Sequence, residues 1–169
     1  MQSIIKGRIW KFGDNIDTDI ILPSQYLTLP EDEMFKHAFE PLQRNFCDLV
    51  FPGDIILAGE NFGCGSSREQ APHAILNLGI KVVIAKSFAR IFYRNALNVG
   101  LCAIESKEAY DRISEGDIVE VFLDDGKIKK ESSDNELLFL PFPAHIQKII
   151  NAGGLVNYMR QINLYKRVM

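Results

Sequence analysis

The sequence predicts an α/β domain in which helices pack on a parallel or mixed β-sheet, and three observations carry that prediction. Between residues 54 and 113, short apolar runs rich in valine and isoleucine alternate with stretches of helical character, the pattern of successive βα units. The runs at 81–85 and 101–104 are continuous rather than alternating, as in strands buried on both faces. Residues 117–131 do alternate, and they are broken by Asp124-Asp125-Gly126, a hairpin signal that adds antiparallel strands.

Taken in order, residues 4–12 alternate well enough for a first strand. Asp14-Asn15 and Asp17-Thr18-Asp19 follow as a polar stretch, either Asx-type turns whose side chains bond their own backbone or one wall of a site. Ile20-Ile21-Leu22 stops at Pro23, and Pro30 followed by Glu31-Asp32-Glu33 suits a helix start. A connection this long between strands is more often functional than decorative. After the Pro52-Gly53 turn, 54–58 reads as a strand. Ser67-Arg68-Glu69-Gln70 fits a capping box opening a helix that ends at Gly79, with Pro72 early enough to be tolerated. A strand at 81–85, a helix at 87–99 capped by Ser87 and closed by Gly100, a strand at 101–104 and a short helix at 107–113 complete the alternation. The hairpin joins 117–123 to 127–131, 137–140 adds a strand, and Gly153-Gly154 separates helices at 143–152 and 155–167. No repeat, low-complexity tract or linker interrupts the chain, so one domain over residues 1–169 is expected.

Composition narrows the function. With 47% hydrophobic and 24% charged residues the chain falls among soluble globular proteins. A net charge of −3, with the basic residues scattered, gives no footprint for nucleic acid. No apolar run approaches a bilayer span and the N-terminal residues lack the apolar core of a signal peptide. No membrane association and a cytoplasmic location are therefore expected. Cys47, Cys64 and Cys102 show no C-x-x-C spacing, which encodes neither a disulfide framework nor a complete cysteine-ligated metal site.

The most informative stretch is residues 59–72, Gly-Glu-Asn-Phe-Gly-Cys-Gly-Ser-Ser-Arg-Glu-Gln-Ala-Pro. A glycine-rich turn leaves a strand, and two serines and an arginine stand where a helix is expected to begin, an arrangement suited to a carboxylate or phosphate. It also suits a serine used as a base, because an alkoxide needs strong positive potential. An ordinary strand-to-helix connection is the plain alternative. Neither common phosphate loop matches, since no lysine follows Gly65 and Gly63-Cys64-Gly65 runs on into Ser-Ser-Arg. His37, His73 and His145 lie in unrelated contexts and supply no hydrolase triad. Cys64 is either a thiolate favoured by the helix start or a small filler between glycines. Arg90 and Arg94 share a helix face, solvated or reaching an anion.

Three motifs in order, Asp14-Asn-Ile-Asp17-Thr18-Asp19-Ile-Ile-Leu-Pro23, Asn61-Phe-Gly-Cys-Gly-Ser-Ser-Arg-Glu69 and Lys86-Ser-Phe-Ala-Arg-Ile-Phe-Tyr-Arg-Asn95, resemble the small subunits of the aconitase-type hydro-lyases, specifically the 3-isopropylmalate dehydratases. The resemblance covers almost the whole chain. It implies a swivelling domain, a three-layer β/β/α sandwich with a mixed sheet and flanking helices, which closes over a large subunit carrying a four-iron four-sulfur cluster. It implies that Ser66 is the base, that Arg68 stabilises its alkoxide and holds a substrate carboxylate, and that Ser67, Thr18 and Asp19 line the same site. The cluster ligands then belong to the partner, and this chain binds no metal. Substrate choice in the family is attributed to the loop that here reads Tyr26-Leu27-Thr28-Leu29. Its lack of charge favours an alkylmalate, isopropylmalate or 2,3-dimethylmalate, over homoaconitate, whose third carboxylate calls for an arginine. Gln70 stands where the family usually has histidine. The implied activity is isomerisation of 2- and 3-isopropylmalate in leucine biosynthesis, only with the large subunit; the isolated chain is a monomer or a homo-oligomer. The competing expectation is a non-enzymatic carboxylate-binding module.

Overall fold

The computed structural model describes residues 4–162. Its strands are β1 (Ile4–Lys11), β2 (Ile55–Ala58), β3 (Val82–Ala85), β4 (Cys102–Glu105), β5 (Ile118–Phe122), β6 (Lys127–Lys130) and β7 (Glu136–Leu138). They form one mixed sheet of order β4-β3-β2-β1-β5-β6-β7. β1 to β4 run parallel, in register Ile9 to Ile55, Ile56 to Val83 and Ile84 to Ile104. β1 meets β5 antiparallel, with Gly7 opposite Val119, and β5 returns through the Asp-Asp-Gly turn to pair Phe122 with Lys127.

Alternate side chains of a strand face opposite ways, and here the two faces belong to two separate cores. Ile9, Ile55, Leu57, Val82, Ile84 and Cys102 of the parallel half share one core with Val119, Val121, Ile128 and Leu137 of the antiparallel half. The sheet therefore curls until one half lies over the other, giving the two β layers. On the opposite face Ile56, Ala58, Val83 and Ala85 pack with Ala71, Ala74 and Ile75 of α4 (Gln70–Asn77) and with Phe92 and Ala96 of α5 (Arg90–Val99). That is the helical layer, so the architecture is the expected β/β/α sandwich.

The long connection after β1 is pinned by aromatic rings. It contains α1 (Thr18–Ile21), α2 (Glu31–Met34) and α3 (Phe46–Leu49). Phe39 stacks on Phe12 at 5.3 Å between centroids, and Phe46 meets the edge of Trp10 at 4.9 Å. Such pairs add about 0.5–1.5 kcal/mol each beyond burial. The indole N–H of Trp10 donates to the buried Asp54 carboxylate at 2.9 Å, tying β1 to the turn before β2.

Two helix starts differ from the sequence expectation. α4 begins at Gln70 rather than Ser67, and its N-cap, Glu69, makes no side-chain capping bond. The capping box does not form because Ser66 and Arg68 are bound across the molecule to the loop after β1. α5 begins at Arg90, not Ser87: the Ser87 hydroxyl accepts from the backbone N–H of Asn61 at 2.9 Å, and Phe88 forms a parallel bridge with Phe62. Residues 87–89 are thus extended. α6 (Lys107–Arg112), whose cap Ser106 accepts from Ala109 N–H, α7 (Ala144–Asn151) and α8 (Leu155–Gln161) fall where expected. The part of the last expected helix beyond 162 lies outside the described residues.

Candidate functional site

The site is built where two loops leave the carboxyl ends of adjacent parallel strands, β1 and β2, the place where open α/β sheets hold ligands. The loops are laced by main-chain bonds: Asn15 N–H to Glu60 O at 2.8 Å, Gly63 N–H to Ile16 O at 2.7 Å and Thr18 N–H to Cys64 O at 2.8 Å. Two side chains add to the lacing, since Asp14 accepts from Glu60 N–H at 2.7 Å and Asn61 donates to Asn15 at 3.0 Å. Asp17 caps α1 by accepting from Ile20 N–H at 2.8 Å. Of the two readings of this polar stretch, Asp14, Asn15 and Asp17 take the Asx-turn and lacing role, whereas Thr18 and Asp19 face the serine–arginine loop.

Glycine is required twice in this loop. Gly63 has φ +77°, and a Cβ there would lie 2.1 Å from the Phe92 ring, so the close approach of α5 excludes any side chain. Gly65, at φ +91°, would place a Cβ 3.3 Å from the Thr18 hydroxyl. That clearance lets Thr18, only 2% exposed, donate to the Ser66 carbonyl at 3.1 Å and lie 3.4 Å from the Ser66 hydroxyl. Ser66 and Ser67 are themselves exposed.

Arg68 is fixed from below. Its Nη1 donates to Asp19 Oδ1 at 2.8 Å and to the Leu22 carbonyl at 3.1 Å, and its side chain is 17% exposed. Both contacts use one nitrogen, so the rest of the guanidinium fork is available to a bidentate carboxylate. Asp19 also accepts from Ser24 N–H at 3.1 Å. These bonds, Arg68 first, hold the Asp19 carboxyl below its usual range. A depressed carboxylate contributes stability that is present above its unfolded pKa and lost as pH falls through the folded one. Because Asp19 is 56% exposed, its pair with Arg68 is worth only about 0.5 kcal/mol after screening. Asp19→Asn is accordingly expected to lower stability by about that amount near neutrality and by nothing at pH values below the folded pKa of Asp19. Urea melts of both proteins at several pH values check this, and a difference that persists in acid overturns the pairing as its cause.

The other sequence-predicted residues divide. Tyr26 stacks on His37 with centroids 3.7 Å apart and lines an open cavity of about 420 Å³ with Asp19, Ser24, Gln25 and Glu40. Leu27 and Leu29 pack against the helical-layer core and anchor the loop, while Thr28 is exposed at its tip. Gln70 is the exposed first residue of α4. Arg90 and Arg94 line a different cavity with Phe88, Tyr93 and Glu105. Burial and the neighbouring Asp17 push the Cys64 thiol up, which corrects the thiolate alternative: the residue is a small filler whose carbonyl receives Thr18. Sequence reasoning missed His37 and Glu40 as partners of Tyr26, and no local pattern signals them. Among the described residues no group of three or more His, Cys, Asp or Glu is placed to hold a metal ion, and no helix is long and apolar enough to cross a membrane.

Comparison with known proteins bears on the family and the fold. The aconitase C-terminal domain family matches residues 30–109. A "3-isopropylmalate dehydratase small subunit" of Halothermothrix orenii is 52% identical over 157 residues, 92% of this chain and 95% of its own. An "isopropylmalate/citramalate isomerase small subunit" of Methanocaldococcus jannaschii is 50% identical over 163 residues, 95% and 96% of the two chains. A crystal structure of 3-isopropylmalate dehydratase from the same organism superposes with a TM-score of 0.89 at 49% identity, covering 98% of each chain. On these grounds the chain belongs to the 3-isopropylmalate dehydratase small-subunit family.

Proposed function

We propose that the chain is the small subunit of a two-subunit hydro-lyase that interconverts 2- and 3-isopropylmalate by dehydration and rehydration, as in leucine biosynthesis. The observation that carries this reading is half a site: an exposed serine held by Thr18 beside an arginine oriented by Asp19, with no group placed to hold a metal ion among the described residues. Among the described residues the cysteines are not gathered into a group that could hold a metal ion. Cys102 is buried with its thiol pushed up to about 12, and burial raises Cys47 and Cys64 as well. In this reading, as the family resemblance implies, a large subunit holds a four-iron four-sulfur cluster, which when bound would supply a Lewis acid for the substrate hydroxyl and carboxylate.

The chain's own residues act on the other side of the substrate. Arg68 binds a substrate carboxylate through its free edge and sets the carbon to be deprotonated against Ser66. The Ser66 oxygen, as alkoxide, takes that proton; the C–H electron pair becomes the new C=C bond as hydroxide leaves the neighbouring carbon. Rehydration with hydroxide on the opposite carbon, and return of the proton from Ser66, completes the isomerisation. Thr18 fixes the Ser66 backbone, and the guanidinium charge favours the alkoxide. Ser67, Tyr26, Leu27, Thr28 and Leu29 complete the substrate enclosure, with Leu27 and Leu29 acting through the loop they anchor. The Methanocaldococcus relative's name pairs isopropylmalate with citramalate, which favours a second reading in which a smaller alkylmalate is also turned over.

Anaerobic coexpression with a cluster-bearing large subunit tests the proposal, with alkene formation followed by ultraviolet absorbance. The chain alone is expected to be inactive and the pair to isomerise isopropylmalate. A loaded pair inert toward isopropylmalate overturns it.

A further inference from the structure

The cavity beside Asp19 carries one more inference. Its walls are Asp19, Pro23, Ser24, Gln25, Tyr26, Glu40 and Pro41, so two carboxylates and no lysine or arginine line it. Asp19 is engaged by Arg68, which leaves Glu40 as the charge facing the space. The Glu40 carboxylate is held in place: His37 Nδ1 lies 3.0 Å from its Oε2, and the His37 ring stacks within 9° of parallel on Tyr26. The neighbouring Tyr26 hydroxyl, followed by His37, keeps Glu40 below its usual range and therefore ionised near neutrality. Arg44 does not line the cavity.

We propose that Glu40, held by His37, which is itself stacked on Tyr26, is a specificity residue: its negative charge excludes a third substrate carboxylate from the cavity beside Asp19 and so restricts the enzyme to malates with an uncharged side arm. This rests on the functional reading above, in which Arg68 holds a carboxylate that two substrates of this chemistry share. Asp19 both bonds Arg68 and lines the cavity, so an arm that extends from that carboxylate past Asp19 enters it. An alkyl arm meets the Tyr26 ring and the two prolines without penalty, whereas a carboxylate arm meets the Glu40 charge and no lysine or arginine of the lining. Discrimination of this kind works by repulsion of the wrong substrate as much as by attraction of the right one.

The test compares kcat/KM for 3-isopropylmalate and for homoaconitate in the reconstituted two-subunit enzyme, wild type against Glu40→Gln and Glu40→Asp. Glutamine keeps an oxygen for His37 Nδ1 but loses the charge. It is expected to raise the homoaconitate-to-isopropylmalate ratio about tenfold, the scale of one partly screened charge pair, while aspartate keeps the wild-type ratio. A purely structural role for Glu40 would lower both substrates together and leave the ratio unchanged, and that result overturns the inference. Should the variants fail to assemble, the wild-type ratio measured from low to high salt decides, because screening must narrow the discrimination and a salt-independent ratio overturns the inference. A wild-type pair inactive on isopropylmalate is a different failure: it removes the functional reading itself, and this inference with it.

Discussion

Replacing Ser66 by alanine is expected to lower kcat of the reconstituted enzyme by about 10³-fold, within the range that a positioned proton-transfer group contributes, with little change in KM. Stability should hardly move. Ser66 is exposed, its hydroxyl has only the 3.4 Å approach to Thr18, and Thr18 keeps the Ser66 carbonyl as its acceptor at 3.1 Å. A substitution with that environment falls within about 0.5 kcal/mol of neutral. The separation of the two effects is what makes the experiment informative, because a serine needed only for loop structure would lose stability along with rate. Exchange of the substrate C–H proton with solvent deuterium should fall in parallel with turnover, since the same atom removes and returns it. Turnover of Ser66→Ala within tenfold of wild type, in a complex with the wild-type melting temperature, eliminates Ser66 as the base.

Much of the scaffold was legible because it is encoded by local pattern. The continuous apolar runs at β3 and β4 and the Asp124-Asp125-Gly126 turn place those elements within a residue or two of where the structure has them. What local pattern misjudged were hydroxyls with distant partners. Ser87 has the right spacing to cap α5, yet its oxygen is taken by Asn61, 26 residues earlier, and helix capping loses to a tertiary bond. Ser67-Arg68-Glu69-Gln70 has the residues of a capping box, but Arg68 is drawn to Asp19 across 49 residues and the helix waits until Gln70. The same long-range pairing that spoils the local reading is what assembles the site. The motif singled out Thr18, Asp19, Ser66 and Arg68 as candidates, and no spacing rule carried the fact that Asp19 orients Arg68. The Tyr26–His37–Glu40 cluster was likewise invisible, because a ring stack between residues on a 3-10 turn and the next helical turns leaves no periodic signature.

Exchanging Arg68 for lysine should cost about 10²- to 10³-fold in kcat/KM although the charge is kept, because the two cations differ in what they can do at once. Nη1 is committed to Asp19 at 2.8 Å and to the Leu22 carbonyl at 3.1 Å. Only a planar fork can satisfy those partners from one nitrogen and still present a second, correctly oriented edge to a substrate carboxylate. A lysine ammonium is a single point. Seated on Asp19 it abandons the substrate; turned to the substrate it leaves Asp19 and the Leu22 carbonyl without their partner, at about 1 kcal/mol for the carbonyl. Either placement also moves positive potential away from the Ser66 oxygen, so kcat and KM should both worsen, unlike the Ser66 variant. Combining Arg68→Lys with Asp19→Asn separates the alternatives. If Asp19 merely captures the lysine, removing its charge frees the ammonium and restores part of the lost rate, and the double variant outperforms Arg68→Lys alone. If the planar geometry itself is what the substrate requires, the double variant is no better than the single one. An Arg68→Lys enzyme within tenfold of wild type in kcat/KM would contradict both versions and leave Arg68 as a structural clamp on the loop after β1.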